Sequence, residues 1–150
     1  MRFTFDSNIL IYTLSRGDPR RVTAASLLAQ ATRGDCVQTS QSLAECFRVL
    51  TTKLRFDPRQ ARQEIDAFRT AFRICIADDG DLDRAMRVVE RHHLSFWDAM
   101  LWATAKRAGC RMLFTEDLQD GRRLEGVLFV DPFAPANRKL VDLALPDLPR

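Results

Sequence analysis

The sequence predicts an α/β domain with a short-stranded, mainly parallel central sheet and helices on both of its faces. Short apolar runs at Arg2–Phe5, Cys36–Thr39, Phe72–Ile76, Met112–Thr115 and Val127–Val130 alternate with segments of helical period. Helix-length stretches between successive runs favour strand–helix–strand crossovers, and so a parallel sheet. The length fits one compact domain: 150 residues, 46% hydrophobic and 29% charged, suffice for one sizeable core and leave little for a second.

The first strand stops at Asp6, and Ile9–Leu14 reads as a short helix broken by Ser15-Arg16-Gly17-Asp18-Pro19. A second helix is predicted from Pro19 to Thr32, with Gly34 as its stop. After the Cys36–Thr39 strand, a helix from about Ser42 to Leu54 carries Leu43, Phe47, Leu50 and Leu54 at helical spacing. Asp57-Pro58 is a capping residue followed by a first-turn proline, so a helix starts there and reaches about Thr70. Two more helices follow, Asp81 to about His92 and Ser95 to Ala108, the second closed by Gly109. The prolines Pro132, Pro135, Pro146 and Pro149 divide the chain into a domain over residues 1–133 and an irregular proline-containing tail over 134–150.

The N-terminus meets Asp6 too early for a signal peptide, and no segment approaches the ~20 apolar residues of a membrane helix, so the expected location is cytoplasmic. Cys36, Cys46, Cys75 and Cys110 form no C-x-x-C pair and lie in apolar stretches, which predicts reduced core thiols. The net charge of +3 is too small to establish nucleic-acid binding. Lys53, Lys106 and Lys139 are the only lysines; the arginine bias suits bidentate phosphate contacts, though a GC-rich genome is the simpler explanation.

In an open parallel sheet, ligands bind beyond the carboxyl ends of the strands. Asp6 and Asp117 follow two of the predicted strands, and Glu45 and Asp98 fall in the first turns of helices that begin at the same edge. Each acid also has a structural reading. Asp6 can cap the next helix, Ser42-x-x-Glu45 and Ser95-x-x-Asp98 have capping-box form, and Asp117 can be a turn residue. Asp98 weighs against the structural reading, because it lies within the apolar run Leu94–Trp102 with no basic residue before Lys106. A partly buried carboxylate needs a partner, and a metal ion is a natural one. A cluster of carboxylates with hard oxygen donors selects Mg²⁺ or Mn²⁺, which could activate water for attack on a phosphodiester.

Taken together, the strand ending in Asp6-Ser7-Asn8, the Ser42-x-x-Glu45 helix start, Leu94-Ser95-Phe96-Trp97-Asp98-Ala99 and Phe114-Thr115-Glu116-Asp117-Leu118 resemble, in order, the motifs of PIN domains. The likeness is greatest to VapC-like toxins and covers about residues 2–133. It implies a three-layer α/β/α nuclease in which Asp6, Glu45, Asp98 and Asp117 hold Mg²⁺, with Mn²⁺ as substitute. Asn8 would hydrogen-bond within the site, and Thr115 would orient a carboxylate or a metal-bound water. Glu116 stands as a possible substitute for Asp117; an extended backbone would turn Thr115 and Asp117 one way and Glu116 the other. The resemblance further implies RNA as substrate, a homodimer and an inhibitory antitoxin.

His92 and His93 read as a helix end rather than as catalytic residues. A haloacid-dehalogenase-like phosphatase also begins with a strand and an aspartate, but wants a second aspartate where this chain has Asn8. Two alternatives stay within the PIN resemblance: a nuclease of RNA processing, and a non-catalytic domain that binds RNA or protein.

Overall fold

The computed structural model describes residues 1–145. Its elements are β1 (Phe3–Phe5), α1 (Ser7–Leu14), α2 (Arg21–Ala31), β2 (Val37–Thr39), α3 (Ser40–Thr52), α4 (Pro58–Ala71), β3 (Arg73–Cys75), α5 (Asp79–His92), α6 (Phe96–Arg107), β4 (Met112–Phe114), β5 (Arg123–Leu124), β6 (Val127–Val130) and α7 (Arg138–Ala144). The central sheet has the order β1-β4-β6-β5, with β1, β4 and β6 parallel and β5 antiparallel to β6. The parallel pair β2-β3 adjoins β1 through a bridge between Phe3 and Cys36. The expected mainly parallel sheet and α/β architecture are therefore present.

Strand alternation sorts side chains into two cores. Phe3, Phe5, Met112, Phe114 and Val130 face one side, where they meet Ile9 and Leu10 of α1, Ala24 and Leu27 of α2, and Leu43 and Leu50 of α3. Leu113, Val127 and Phe129 face the other side and pack under α5 and α6, against Val88, Leu101 and Trp102. The sheet thus lies between two helical layers. The rings of Phe5 and Phe114 stack at 5.3 Å directly beneath the carboxyl ends of their strands, and burying each stabilises the fold by roughly 1.5–3 kcal/mol.

Several helix starts differ from expectation, and each difference has a side-chain hydrogen bond as its cause. α3 begins at Ser40, because the Thr39 hydroxyl accepts the Ser42 N–H at 3.1 Å. Ser42 is therefore inside the helix and Glu45 is in its second turn, which removes the capping-box reading of that pair. α5 begins at Asp79 with a true capping box between Asp78 and Asp81. α2 begins at Arg21 rather than Pro19, because Asp18 accepts the Arg20 N–H at 2.8 Å and fixes a turn there. α4 is capped by Asp57 with Pro58 in its first turn, as the sequence predicts.

Two features lie outside the sequence reading. The hairpin β5-β6 turns on Glu125 and Gly126, whose φ values of 43° and 90° suit a two-residue turn. The segment expected to be irregular contains a 3-10 turn at Pro135–Asn137 and then α7. Val141, Ala144 and Leu145 are buried against the first core, so apolar burial at helical spacing overrides the local effect of proline. The remainder of the expected tail, residues 146–150, lies outside the described residues. The four cysteines are free, and burial pushes the Cys46 and Cys110 thiols up to about 12. Among the described residues no helix is long and apolar enough to cross a membrane.

Candidate active site

The parallel register sets Phe5 beside Phe114, so Asp6 and Thr115 leave adjacent strands at the same edge. The Asp6 N–H continues the ladder to the Phe114 carbonyl at 2.9 Å, and the Thr115 N–H continues it to Val130 at 3.0 Å. Asp6 is only 5% exposed. Its carboxylate accepts the Ser7 N–H at 2.7 Å and the Thr115 hydroxyl at 2.8 Å. It is also the N-cap of α1, so the capping and site roles fall on one side chain. Burial pushes its pKa up to about 6; Glu45 and Asp117 push in the same direction, and the hydrogen bonds from Thr115 and Ser7 oppose them.

α3 is brought to this edge by the Ser42 hydroxyl, which donates to the Phe5 carbonyl at 3.3 Å. One turn on, Glu45 accepts from the Ser7 hydroxyl at 2.9 Å and from the Gln41 amide at 3.1 Å. Gln41 also donates to the Trp97 carbonyl at 2.9 Å and so joins the starts of α3 and α6. Asp98 sits in the first turn of α6, half-buried, where Ser95 caps the helix and donates its hydroxyl to Asp98 at 2.6 Å. The apolar run around Asp98 is not a buried pocket. Trp102 is enclosed, whereas Trp97 is 62% exposed and Phe96 lies at the surface.

After β4 the backbone bends, yet Thr115 and Asp117 stay linked through the Asp117 N–H, which donates to the Thr115 hydroxyl at 3.1 Å. Asp117 is close enough to raise the Asp6 pKa. Glu116 is engaged elsewhere: it accepts from the Tyr12 hydroxyl at 2.5 Å and pairs with Arg20 at 2.9 Å. Arg20 also lies 3.8 Å from the Tyr12 ring centroid. Asn8 is buried beside Asp6 in sequence, and neither its amide nor its carbonyl oxygen has a hydrogen-bond partner.

Asp6, Glu45, Asp117 and Thr115 thus act on one another at the sheet edge, and Asp98 approaches through Gln41. The four acids do not form the compact cluster expected of them. Among the described residues no three His, Cys, Asp or Glu side chains are grouped to hold a metal ion. Hydroxyls of Ser7, Ser95 and Thr115 each hold a different carboxylate. The donor chemistry itself fits a hard divalent cation, being carboxylate oxygen throughout.

One buried acid was missed by sequence reasoning. Asp81 is fully enclosed and accepts from Arg107, Arg84 and Thr104 at 3.0, 3.2 and 3.3 Å. It clamps α5 to α6. Only the match of an early acid on one helix with a late arginine on the next could have signalled it.

An α/β/α sandwich with carboxylates at the carboxyl edge of a parallel sheet defines a class of folds that gather an acidic site where such sheets bind their ligands. Residues 3–123 match the PIN domain family, and the chain belongs to it. Its fold is similar to that of the Mycobacterium tuberculosis toxin VapC20, a sarcin-ricin loop cleaving toxin, at 22% identity and a TM-score of 0.63, covering 77% of this chain and 89% of that one. A toxin–antitoxin complex from Klebsiella pneumoniae matches with 22% identity, TM-score 0.63, and 87% and 97% coverage. DNA-bound VapBC from Salmonella typhimurium matches at 18% identity and a TM-score of 0.65, with 88% and 98% coverage. No curated protein matches the sequence. Family membership disposes of the phosphatase alternative.

Proposed function

We propose that this protein is a metal-dependent ribonuclease that hydrolyses RNA phosphodiester bonds as the toxin of a toxin–antitoxin pair. The observation that carries the reading is the buried Asp6 carboxylate, held by Thr115 and crowded by Glu45 and Asp117 at the sheet edge. A carboxylate in that setting is costly unless a cation offsets the charge. Mg²⁺ is the expected ion, with Mn²⁺ as substitute; when bound it supplies charge neutralisation and an activated water. Asp6, Glu45, Asp98 and Asp117 would hold it. Thr115 keeps the Asp6 oxygen oriented, and Asn8 would hydrogen-bond within the site. Glu116, paired with Arg20, fixes the loop that carries Asp117 and is not a ligand in this reading.

The toxin assignment is supported by folds shared with solved toxin–antitoxin complexes. It brings an inhibitory antitoxin, a homodimer and a cytoplasmic setting with it. Inducible expression with RNA-end mapping tests the whole reading. The intact protein should create new RNA 5′ ends and arrest growth, and Asp98→Asn should do neither at equal abundance. RNA cleavage by the purified protein should stop in EDTA and return with Mn²⁺; undiminished cleavage in EDTA, with contaminating RNases excluded, would reject the metal mechanism.

A further inference from the structure

Beside Glu45 lies an open cleft of about 590 Å³ that the proposed chemistry does not use, lined among others by Ala44, Glu45, Arg48, Ala77, Trp97 and Met100. Its volume falls in the range of about 300–1,000 Å³ usual for small-ligand clefts. The indole of Trp97 forms one wall and is 62% exposed, although it adjoins a carboxylate in sequence. The ring is not loose. Phe96 braces it edge-on, with centroids 5.0 Å apart and planes at 65°. The Trp97 carbonyl accepts from Gln41 at 2.9 Å, and the same amide donates to Glu45 at 3.1 Å. The backbone at Trp97 is therefore tied to Glu45, while the face of its indole stays open. Met100, Ala77 and Ala44 supply an apolar floor, and Arg48 lies at the rim without a carboxylate partner among the described residues.

A flat aromatic wall, a cation at the rim and a carboxylate site at the far end match the parts of a nucleotide: base, backbone phosphate and scissile bond. We propose that this cleft binds one unpaired nucleobase of the RNA strand next to the bond cleaved, stacked on Trp97, with an adjoining phosphate on Arg48. The assignment rests on the ribonuclease reading and adds a preference for single-stranded or extruded nucleotides, since a base inside a helix cannot reach the indole. A more apolar groove continues past Ala44 over Phe47 and Ile76. Its ring, Phe47, is exposed, but its arginines Arg62 and Arg69 both pair with Asp66, so among the described residues no free cation there awaits a phosphate, and a protein partner reaching from that groove over Trp97 is the rival occupant.

Trp97 and Trp102 are the only tryptophans, and Trp102 is 1% exposed and out of reach of a ligand, so contact quenching by a base reports on Trp97 over a constant Trp102 background. The full-length protein is titrated, in Ca²⁺ buffer to slow turnover, with a short single-stranded RNA of mixed sequence and with an abasic oligonucleotide of the same length. Saturable quenching by the RNA is expected, absent in Trp97→Phe, which keeps most of the affinity. Trp97→Ala should weaken binding about 5- to 150-fold, as loss of one stacked base does, and should raise KM more than it lowers kcat. The abasic strand should bind wild type and Trp97→Ala alike, and Arg48→Gln should lower the salt slope of RNA binding by about 1.

Normal cleavage by Trp97→Ala with unchanged KM and no quenching overturns the base site and leaves the ribonuclease reading standing. Unchanged RNA binding with loss of dimerisation or of affinity for the cognate antitoxin assigns the cleft to protein and overturns it equally. If wild type neither binds nor cuts RNA, the ribonuclease reading has failed and the base site fails with it.

Discussion

Replacing Asp6 with asparagine should stabilise the metal-free protein at neutral pH and not at acid pH. The Asp6 pKa rises from 3.8 to about 6 on folding, with burial as the first cause. Each tenfold change in proton affinity is worth about 1.36 kcal/mol, so keeping the carboxylate ionised costs the folded state about 3 kcal/mol above pH 6. The sign follows from proton uptake. Between about pH 4 and pH 6 the folded form binds the Asp6 proton more tightly than the unfolded form, so this group's contribution falls as pH rises through that window. Below about pH 4 both forms are protonated and the cost is absent. Asparagine never carries the charge, but it cannot accept from both Ser7 and Thr115 as well as a carboxylate does, an offset of about 1–2 kcal/mol. The net expectation for Asp6→Asn in EDTA is a gain of about 1–2 kcal/mol at pH 7, turning to a loss of about 1–2 kcal/mol as the pH falls to 4 and below, where the offset stands alone. Urea unfolding of both proteins at intervals from pH 4 to pH 8 measures it. A stability difference that ignores pH, or one that favours the variant more at pH 4 than at pH 7, refutes the account of Asp6. Adding Mn²⁺ should reverse the order at pH 7, because only the wild type gains the full set of charged ligands.

The loop after β4 gives a second test: Asp117→Asn should impair cleavage and Mn²⁺ affinity more than Glu116→Gln, measured at equal folded fraction. Glu116→Gln and Arg20→Gln should instead each weaken urea stability, and the double variant should lose less than the sum, since both break one pair. Asp81→Ala should destabilise by about 1–3 kcal/mol, by removing the shared acceptor of Arg107, Arg84 and Thr104, while Arg107 keeps Asp78 and cleavage per folded molecule stays at the wild-type level. Ser95→Ala should cost about 0.5–2 kcal/mol as a lost cap and leave Mn²⁺ affinity, read by calorimetry, equal or improved, because Asp98 no longer accepts from a hydroxyl.

What could be read from the sequence was what local chemistry decides. Asp57-Pro58 marks a helix start wherever it stands, and the runs ending at Phe5 and Phe114 are too apolar to be anything but buried. The ordering of Asp6, Glu45, Asp98 and Asp117 along alternating elements was visible for the same reason. Hidden features depend on partners distant in sequence. Asp81 stands in the surface-like run Asp78-Asp79-Gly80-Asp81, and only Arg107 makes it a buried clamp. The α7 segment was masked by its flanking prolines, although Leu140, Val141, Ala144 and Leu145 have helical spacing. Phe47 and Trp97 show the converse, since apolar character does not report burial: both are exposed. The direction of Glu116 was also beyond reach, because Tyr12 and Arg20 decide it from across the fold.

The hydrogen bond from Thr115 to Asp6 spans 109 positions of the chain. At a synthesis rate of about 5–20 residues per second, the ribosome is about 5–20 s past Asp6 before Thr115 is made. The first strand cannot find its parallel neighbour in that interval, and Asp6 has neither its hydroxyl donor nor the crowding from Asp117. Whatever chemistry the carboxylates carry is therefore withheld from the nascent chain. It becomes available only once Thr115 has been made, so a shorter nascent chain holds the Asp6 carboxylate without the arrangement around it.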